Sequence, residues 1–373
     1  MKRNINYYFL GFSSALIVFG MLFLANLSAP ESLQFFGNTN YYLFHQFYAL
    51  LIGLALGVIA FKVPIRFIKK VAPFLLFANL ILLILVFMPF FGVKFLGAKR
   101  WVNLFGIVVQ PSEFFKVTSI LYLSAWLSEK FSESQKKGII QRARDSYENF
   151  IKAFLPFLIL LLVSSTILLF QKDLGTLGII IASLIAIYFA AGTPLWHTII
   201  TVIGGIAGGL IFIRIEPYRV HRFLVFLNPE TDPLGIGFQL RQSLLAVGSG
   251  GIFGKGWGLS IQKFGLPQAM SDSVFAIFAE ETGLIGCFIL ISLFILFFWQ
   301  GIQIAKKSND KFSKMASVGI MTWLITQAFM NIASNVGLFP LTGIPLPFFS
   351  YGGSHLITEM ISIGILLNIS KNT

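Results

Sequence analysis

The chain of 373 residues contains one cysteine and four histidines, and only 12% of its residues are charged. Each scarcity excludes a class of chemistry. Cys287 stands alone in an apolar stretch, so there is neither a disulfide framework nor a CxxC metal motif. His45, His197, His221 and His355 are too scattered to give metal-ligand spacing. A P-loop and a dinucleotide fingerprint are both missing, which argues against an ATP-driven pump. Charge is about half as frequent as in soluble domains, and nothing in its distribution points to nucleic acid.

What the chain does have is hydrocarbon-compatible sequence: 56% hydrophobic residues and a mean hydropathy of +0.81. A helix crosses a bilayer with about 20 apolar residues and leaves no backbone group unpaired there. By that measure the sequence predicts an all-α polytopic membrane protein, a single domain over 1–373, with ten transmembrane helices. They run Tyr8 to Leu27, Leu43 to Val63, Val71 to Phe91, Ser112 to Phe131, Ala153 to Phe170, Leu174 to Ala191, Leu195 to Ile213, Val274 to Trp299, Ala316 to Val336 and Ser350 to Leu367. The first follows Lys2 and Arg3 and lacks a small-residue cleavage site, so it reads as an anchor.

Basic residues of short loops stay on the cytoplasmic side. With the amino terminus inside, Lys62, Arg66, Lys69, Lys70, the loop 132–152, Lys306, Lys307, Lys311, Lys314 and Lys371 all face the cytoplasm. Both termini are then cytoplasmic, and the net charge of +13 mostly reflects this anchoring. The polar, glycine-rich loop 215–273, between the seventh and eighth helices, faces outward. With Arg214 at its edge, it carries Arg219, Arg222, Arg241, Lys255 and Lys263 against the rule, which implies local anionic partners: protein carboxylates, membrane lipids or a phosphorylated substrate.

Three further segments join proline, glycine and charge at the membrane edge. In Gln110-Pro111-Ser112-Glu113 the proline precedes a helix that Ser112 can cap, and Glu113 suits the positive end of its dipole. Lys116, one turn deeper, requires a partner, and an i,i+3 pair with Glu113 would supply one. In Gln171-Lys172-Asp173, Asp173 reads as a helix cap. The stretch Asn335 to Ser354 holds three prolines among glycines at membrane depth, so a re-entrant segment lining a cavity is expected before the tenth helix.

Together these motifs, in order, carry a resemblance: Arg100-Trp101, Gln110-Pro111-Ser112-Glu113, Gly254-Lys255-Gly256, Leu266-Pro267 through Asp272, and Pro345-Leu346-Pro347-Phe348-Phe349-Ser350-Tyr351-Gly352-Gly353-Ser354. The chain resembles, over nearly its whole length, the shape, elongation, division and sporulation proteins, polytopic glycosyltransferases typified by FtsW and RodA. Gln242-Ser243 and Ser260-Ile261-Gln262-Lys263 are similar to the division branch. Gln268, Met270 and Ser273 replace the usual glutamate, histidine and phenylalanine around Asp272. Lys172 stands where proline is common, and His355 where serine is.

The resemblance implies polymerisation of lipid II, a polyprenyl-linked disaccharide-pentapeptide, into glycan strands at the outer face of the cytoplasmic membrane. Such chemistry needs a base for the acceptor hydroxyl and positive charge for the departing pyrophosphate. Asp272 is the candidate base, although an aspartate at a helix start also reads as an N-cap. Arg100, Arg219, Arg222, Lys255 and Lys263 are candidates for the pyrophosphate, each also suited to lipid headgroups. Ser249, Gln242 and Ser354 join them as substrate-binding candidates. Glu113, Lys116, Asp173 and Glu280 are expected to build the cavity, with Glu280 pairing with Lys116 or lining the space. A divalent cation, Mg or Mn, at Asp272 is compatible with this chemistry, but no ligand cluster demands one. The expected partners are a penicillin-binding transpeptidase and other division proteins. A lipid II transporter and a non-catalytic division scaffold are the alternatives.

Overall fold

The computed structural model describes residues 5–95, 98–104, 106–130, 154–215 and 217–372. About 75% of the chain is helical. Helices α1 (Tyr7–Phe36), α2 (Tyr41–Lys62) and α3 (Ile65–Leu85) lead into a sheet of β1 (Gly92–Phe95), β2 (Ala98–Leu104) and β3 (Ile107–Val109). Then come α4 (Pro111–Lys130), α5 (Leu155–Phe170), α6 (Leu174–Ala190), α7 (Leu195–Ile215), α8 (Pro217–Leu227), α9 (Ile236–Ser249), α10 (Val274–Lys307), α11 (Lys311–Asn335) and α12 (Gly353–Lys371). Among the described residues, α1, α2, α3, α10, α11 and α12 are long and apolar enough to cross a membrane, and α5, α6 and part of α7 are shorter apolar helices. The architecture is that of a polytopic helical membrane protein.

Burial sorts these helices. α1, α2, α3 and α10 keep most of their apolar side chains on the outside, whereas α11 and α12 are enclosed by the others. In lipid there is no hydrophobic drive between helices, so close packing of small residues takes its place. Where α2 crosses α12, a methyl group on Gly364 would collide with the backbone of Gly57. α4 has 20 residues but carries Ser112, Glu113, Lys116, Ser119, Ser124 and Ser128 buried along its length. It is a polar helix made tolerable by burial against α3, α6 and α11.

Several expectations are corrected. The span placed at Val71 to Phe91 starts at Ile65 and ends at Leu85, and the residues after it turn into the antiparallel sheet, order β1-β2-β3, that an all-α reading omits. Pro111 is the first residue of α4, not the residue before it, so Ser112 lies inside the helix and does not cap it. The polar region 215–273 is half helix, because α8 and α9 fold within it. The loop 132–152 lies outside the described residues. The proline-rich stretch after α11 is irregular as expected, and it is wrapped in protein: Leu341, Ile344, Leu346, Phe348, Phe349 and Ser350 are buried.

Candidate active site

Asp272 sits two residues before α10, at the end of the bundle opposite the chain termini; at that other end Asn6 N–H bonds Ser370 Oγ. It does not cap α10, whose N-cap position is Ser273 without a side-chain cap bond. Its carboxylate accepts from Gln239 Nε2 at 3.4 Å and from its neighbour Ser271 Oγ at 3.3 Å. Burial pushes its pKa up to about 6, against the lowering effect of these donors and of the Arg222 charge nearby. A desolvated carboxylate that remains ionised near neutral pH is suited to taking a proton.

The backbone of Asp272 is pinned from α11. Its carbonyl accepts from Asn331 Nδ2 at 2.9 Å and from Asn335 Nδ2 at 2.8 Å. Asn331 also donates to Ile344 O at 2.7 Å, and Gln327 Nε2 donates to Pro345 O at 3.1 Å. Gln327, Asn331 and Asn335 recur every four residues, so they form one stripe on the helix. That stripe donates to two carbonyls, Ile344 and Pro345, of the irregular 341–346 segment, which lies between Asp272 and α6. Arg222, on α8, donates to Leu341 O at 3.2 Å on the same segment. The turn at 350–352 is fixed by α2 and by the segment before α10: Gly352 N–H donates to Gln46 Oε1 at 3.0 Å, and Tyr351 N–H to Met270 O at 2.8 Å. Ser350 Oγ donates to Ser271 O.

A second group lies across the 341–346 segment. Asp173 is the N-cap of α6, accepting from Thr176 N–H at 3.4 Å, as expected, and Ser112 Oγ donates to it at 3.4 Å. Arg100, carried on β2, reaches to within 4.0 Å of Asp173 and donates to the carbonyls of Gln171 and Lys172. Ser354 Oγ accepts from Gln110 N–H at 3.1 Å, tying α12 to the start of α4.

Deeper lies a buried charge cluster. Lys116 Nζ is 2.7 Å from Glu113 Oε2, the expected i,i+3 pair, and 2.9 Å from Gln327 Oε1. His355 sits between two carboxylates, with Nδ1 3.2 Å from Glu113 and Nε2 3.1 Å from Glu359. Gln327 therefore joins this cluster to the stripe that holds Asp272.

Glu280 does not pair with Lys116, which corrects that expectation. Its fully buried carboxylate is 2.6 Å from Lys255 Nζ and accepts from Ser260 Oγ and from the backbone of Ile261 and Gln262. Ser249 Oγ is 3.4 Å away. One turn further on, α10 breaks at Gly283, with φ 66° and ψ −166°, a conformation for glycine. The orphaned helix groups are met by the 250–256 loop: Lys255 N–H and Gly256 N–H donate to the carbonyls of Glu280 and Glu281, and Leu284 N–H donates to Gly251 O. The glycines of that loop let its backbone lie against the broken helix. Lys263 Nζ donates to Gly258 O at 2.6 Å.

Of the expected cations, then, Arg222 is near enough to Asp272 to lower its pKa, Arg100 is at Asp173, Lys255 is paired with Glu280 of α10, and Lys263 is bonded within the loop. The side chain of Arg219 is outside the described residues, and Gln242 is half-buried on α9. Among the described residues no group of three or more His, Cys, Asp or Glu side chains could hold a metal ion. Gln239, Gln327, Asn331 and Asn335 were not anticipated. Amide side chains at four-residue spacing in an apolar span were the available signal, because polar groups there demand partners.

The model of the cell cycle protein family FtsW/RodA/SpoVE matches residues 7–373. The chain belongs to this family. A probable peptidoglycan glycosyltransferase FtsW of Coxiella burnetii is 38% identical over 364 residues, covering 96% of this chain and 94% of the relative. Stage V sporulation protein E of Bacillus subtilis is 39% identical over 78% of this chain and 76% of its own length. The fold is similar to a chain of a peptidoglycan synthase complex (TM-score 0.78, 24% identity, 99% and 98% coverage). It is also similar to the rod shape determining protein RodA of Thermus thermophilus (TM-score 0.70, 23% identity, 99% and 97% coverage).

Two of this chain's departures from the usual FtsW/RodA/SpoVE pattern have a backbone reading. Lys172 takes φ 57° and Gln268 φ 55°. A proline, held near −65°, could not adopt the turn that Lys172 makes here. A further departure, His355, fills the gap between Glu113 and Glu359.

Proposed function

We propose that this protein is a peptidoglycan glycosyltransferase that polymerises lipid II at the outer face of the cytoplasmic membrane, for cell division. The observation that carries the reading is a desolvated carboxylate, Asp272, clamped through its own backbone beside Arg222 in a chain of this family. Relatives aligned over almost the full length and named for that activity support it. The chain crosses the membrane ten times with both termini in the cytoplasm, α4 to α7 supplying the spans beyond the long apolar helices. The 215–273 region then lies outside.

Asp272 accepts the proton of the acceptor sugar hydroxyl as its oxygen attacks the anomeric carbon of the donor. The carbon–oxygen bond to phosphate breaks with inversion, and polyprenyl pyrophosphate departs with the electron pair. Arg222 stabilises that leaving charge, a guanidinium being matched to two phosphate oxygens at once. Arg100, held at Asp173, adds positive charge across the 341–346 segment. Lys255 contributes through the loop it fixes on Glu280. A divalent cation would have Asp272 as its protein carboxylate and draw its remaining ligands from water and pyrophosphate. A penicillin-binding transpeptidase that crosslinks the product is the partner.

The test is polymerisation of purified lipid II by the reconstituted protein, alone and with a transpeptidase partner, with Asp272→Ala alongside. Glycan from the parent and none from the folded variant is the expected result. Equal polymer from both would move the base elsewhere. Lipid II translocated across vesicles without polymer would replace the enzyme with a transporter, and neither activity would leave a scaffold.

A further inference from the structure

At the end of the bundle opposite Asp272, the first turns of α3 and the last turns of α4 enclose a crevice of about 350 Å³. Arg66, Lys69 and Lys70 line it from α3, and Tyr122, Trp126 and Glu129 from α4. The spacing i, i+3, i+4 puts the three cations on one face of α3. We propose that this crevice binds the phosphodiester headgroup of an anionic glycerophospholipid, at a site separate from the glycosyl-transfer centre.

Two observations support an anionic headgroup at this boundary. Three cations face one carboxylate, and that carboxylate, Glu129, is 3.3 Å from Lys69 with 69% of its side chain exposed. An ion pair so exposed holds its partners weakly, and Arg66 and Lys70 remain in excess. Tyr122 and Trp126 lie side by side, ring centroids 6.4 Å apart, the amphipathic pair favoured where hydrocarbon meets water.

The surface below the cations identifies the source of the phosphate. Arg66 and Lys70 continue along α3 as Phe74, Phe77, Ile81 and Ile84, a stripe at helical spacing that is 73, 66, 45 and 52% exposed. Charge at the top of an apolar, outward-facing stripe matches a headgroup with acyl chains beneath it. A free phosphate ion would leave the stripe unused. Basic pockets between membrane helices at a cytoplasmic boundary have this selectivity for anionic lipid.

The experiment uses the purified full-length protein in a neutral detergent. Thermal midpoints are read with added phosphatidylglycerol, phosphatidylcholine or sn-glycerol 1-phosphate, and retained lipids are counted by native mass spectrometry. The parent should gain several degrees with phosphatidylglycerol and retain it selectively, gaining little with the other two. In Arg66→Gln/Lys70→Gln that gain should fall by at least half. Arg66→Gln and Lys70→Gln made singly each remove one charge-assisted contact, and each should weaken retention about tenfold. Their results decide the question if the double variant does not fold. A shift unchanged in the variants, equal shifts with both phospholipids, or the full shift with glycerol phosphate would each overturn the proposal.

Discussion

Replacing Asp272 with asparagine should abolish polymerisation and stabilise the protein. The carboxyl is held at about 6 in the folded chain against an ordinary value of 3.8, chiefly by burial. A raised carboxyl pKa means that the folded state binds the proton more tightly than the unfolded state does. The ionised form therefore destabilises the fold once pH passes the unfolded value, and the penalty is complete above the folded value. At pH 7.5 the difference of roughly 2 units corresponds to at most about 3 kcal/mol. Residual solvent access reduces this, so about 1–3 kcal/mol is expected. Asparagine keeps the shape and can still accept from Gln239, but it carries no charge to desolvate.

The assay is thermal unfolding in detergent at fixed scan rate, parent against variant, across pH. For a chain of this size, 1 kcal/mol moves the midpoint by roughly 1–2 °C, so the variant should melt about 2–5 °C higher at pH 7.5. By the same linkage about half of that advantage should remain at pH 5 and little at pH 4, because the parent's own carboxyl is then protonated. A variant that melts at or below the parent at pH 7.5 would refute the argument that Asp272 is held at a cost. So would an advantage independent of pH.

Other expectations follow from the same contacts. If Asp272 is the base, log kcat/KM should fall with unit slope below about pH 6 and be flat above it until another group titrates; a profile flat down to pH 4.5 would exclude that role. Asn331→Ala leaves the Ile344 carbonyl without this donor and removes one of two from Asp272, so it should cost about 1–3 kcal/mol and lower kcat more than KM in the polymerisation assay. Lys255→Met should destabilise by about 3–5 kcal/mol through the stranded Glu280 carboxylate, with Lys255→Met/Glu280→Gln recovering much of the loss in unfolding experiments; a double variant no better than the single would break the pairing. Gly283→Ala should fail to fold or lose several degrees, since its φ is positive and the added methyl would meet the backbone of Gly254 and Ile252.

Much of this protein is written along the chain. Long apolar runs become helices because a bilayer leaves no alternative for backbone polar groups, and the motif order reveals the family. Lys116 advertised its need for Glu113 through spacing alone, and Asp173 its capping role. Glu280 did not reveal its partner. Helical periodicity relates residues on one helix, whereas Lys255 arrives on a loop that folds back against α10 where that helix breaks at Gly283.

The stripe of Gln327, Asn331 and Asn335 was visible as polar residues at regular spacing, but the carbonyls it serves, at Asp272, Ile344 and Pro345, belong to segments that come together only on folding. The sheet was lost to the hydropathy of residues 92–109, where strand and helix edge look alike over so short a run. The sequence by itself determined the membrane-embedded class and the family, because composition and motif order suffice for these. Which cation stands beside Asp272, and which ones are consumed holding the scaffold, was decided by tertiary structure, because charge pairing acts through distances in space and sequence separation does not encode them.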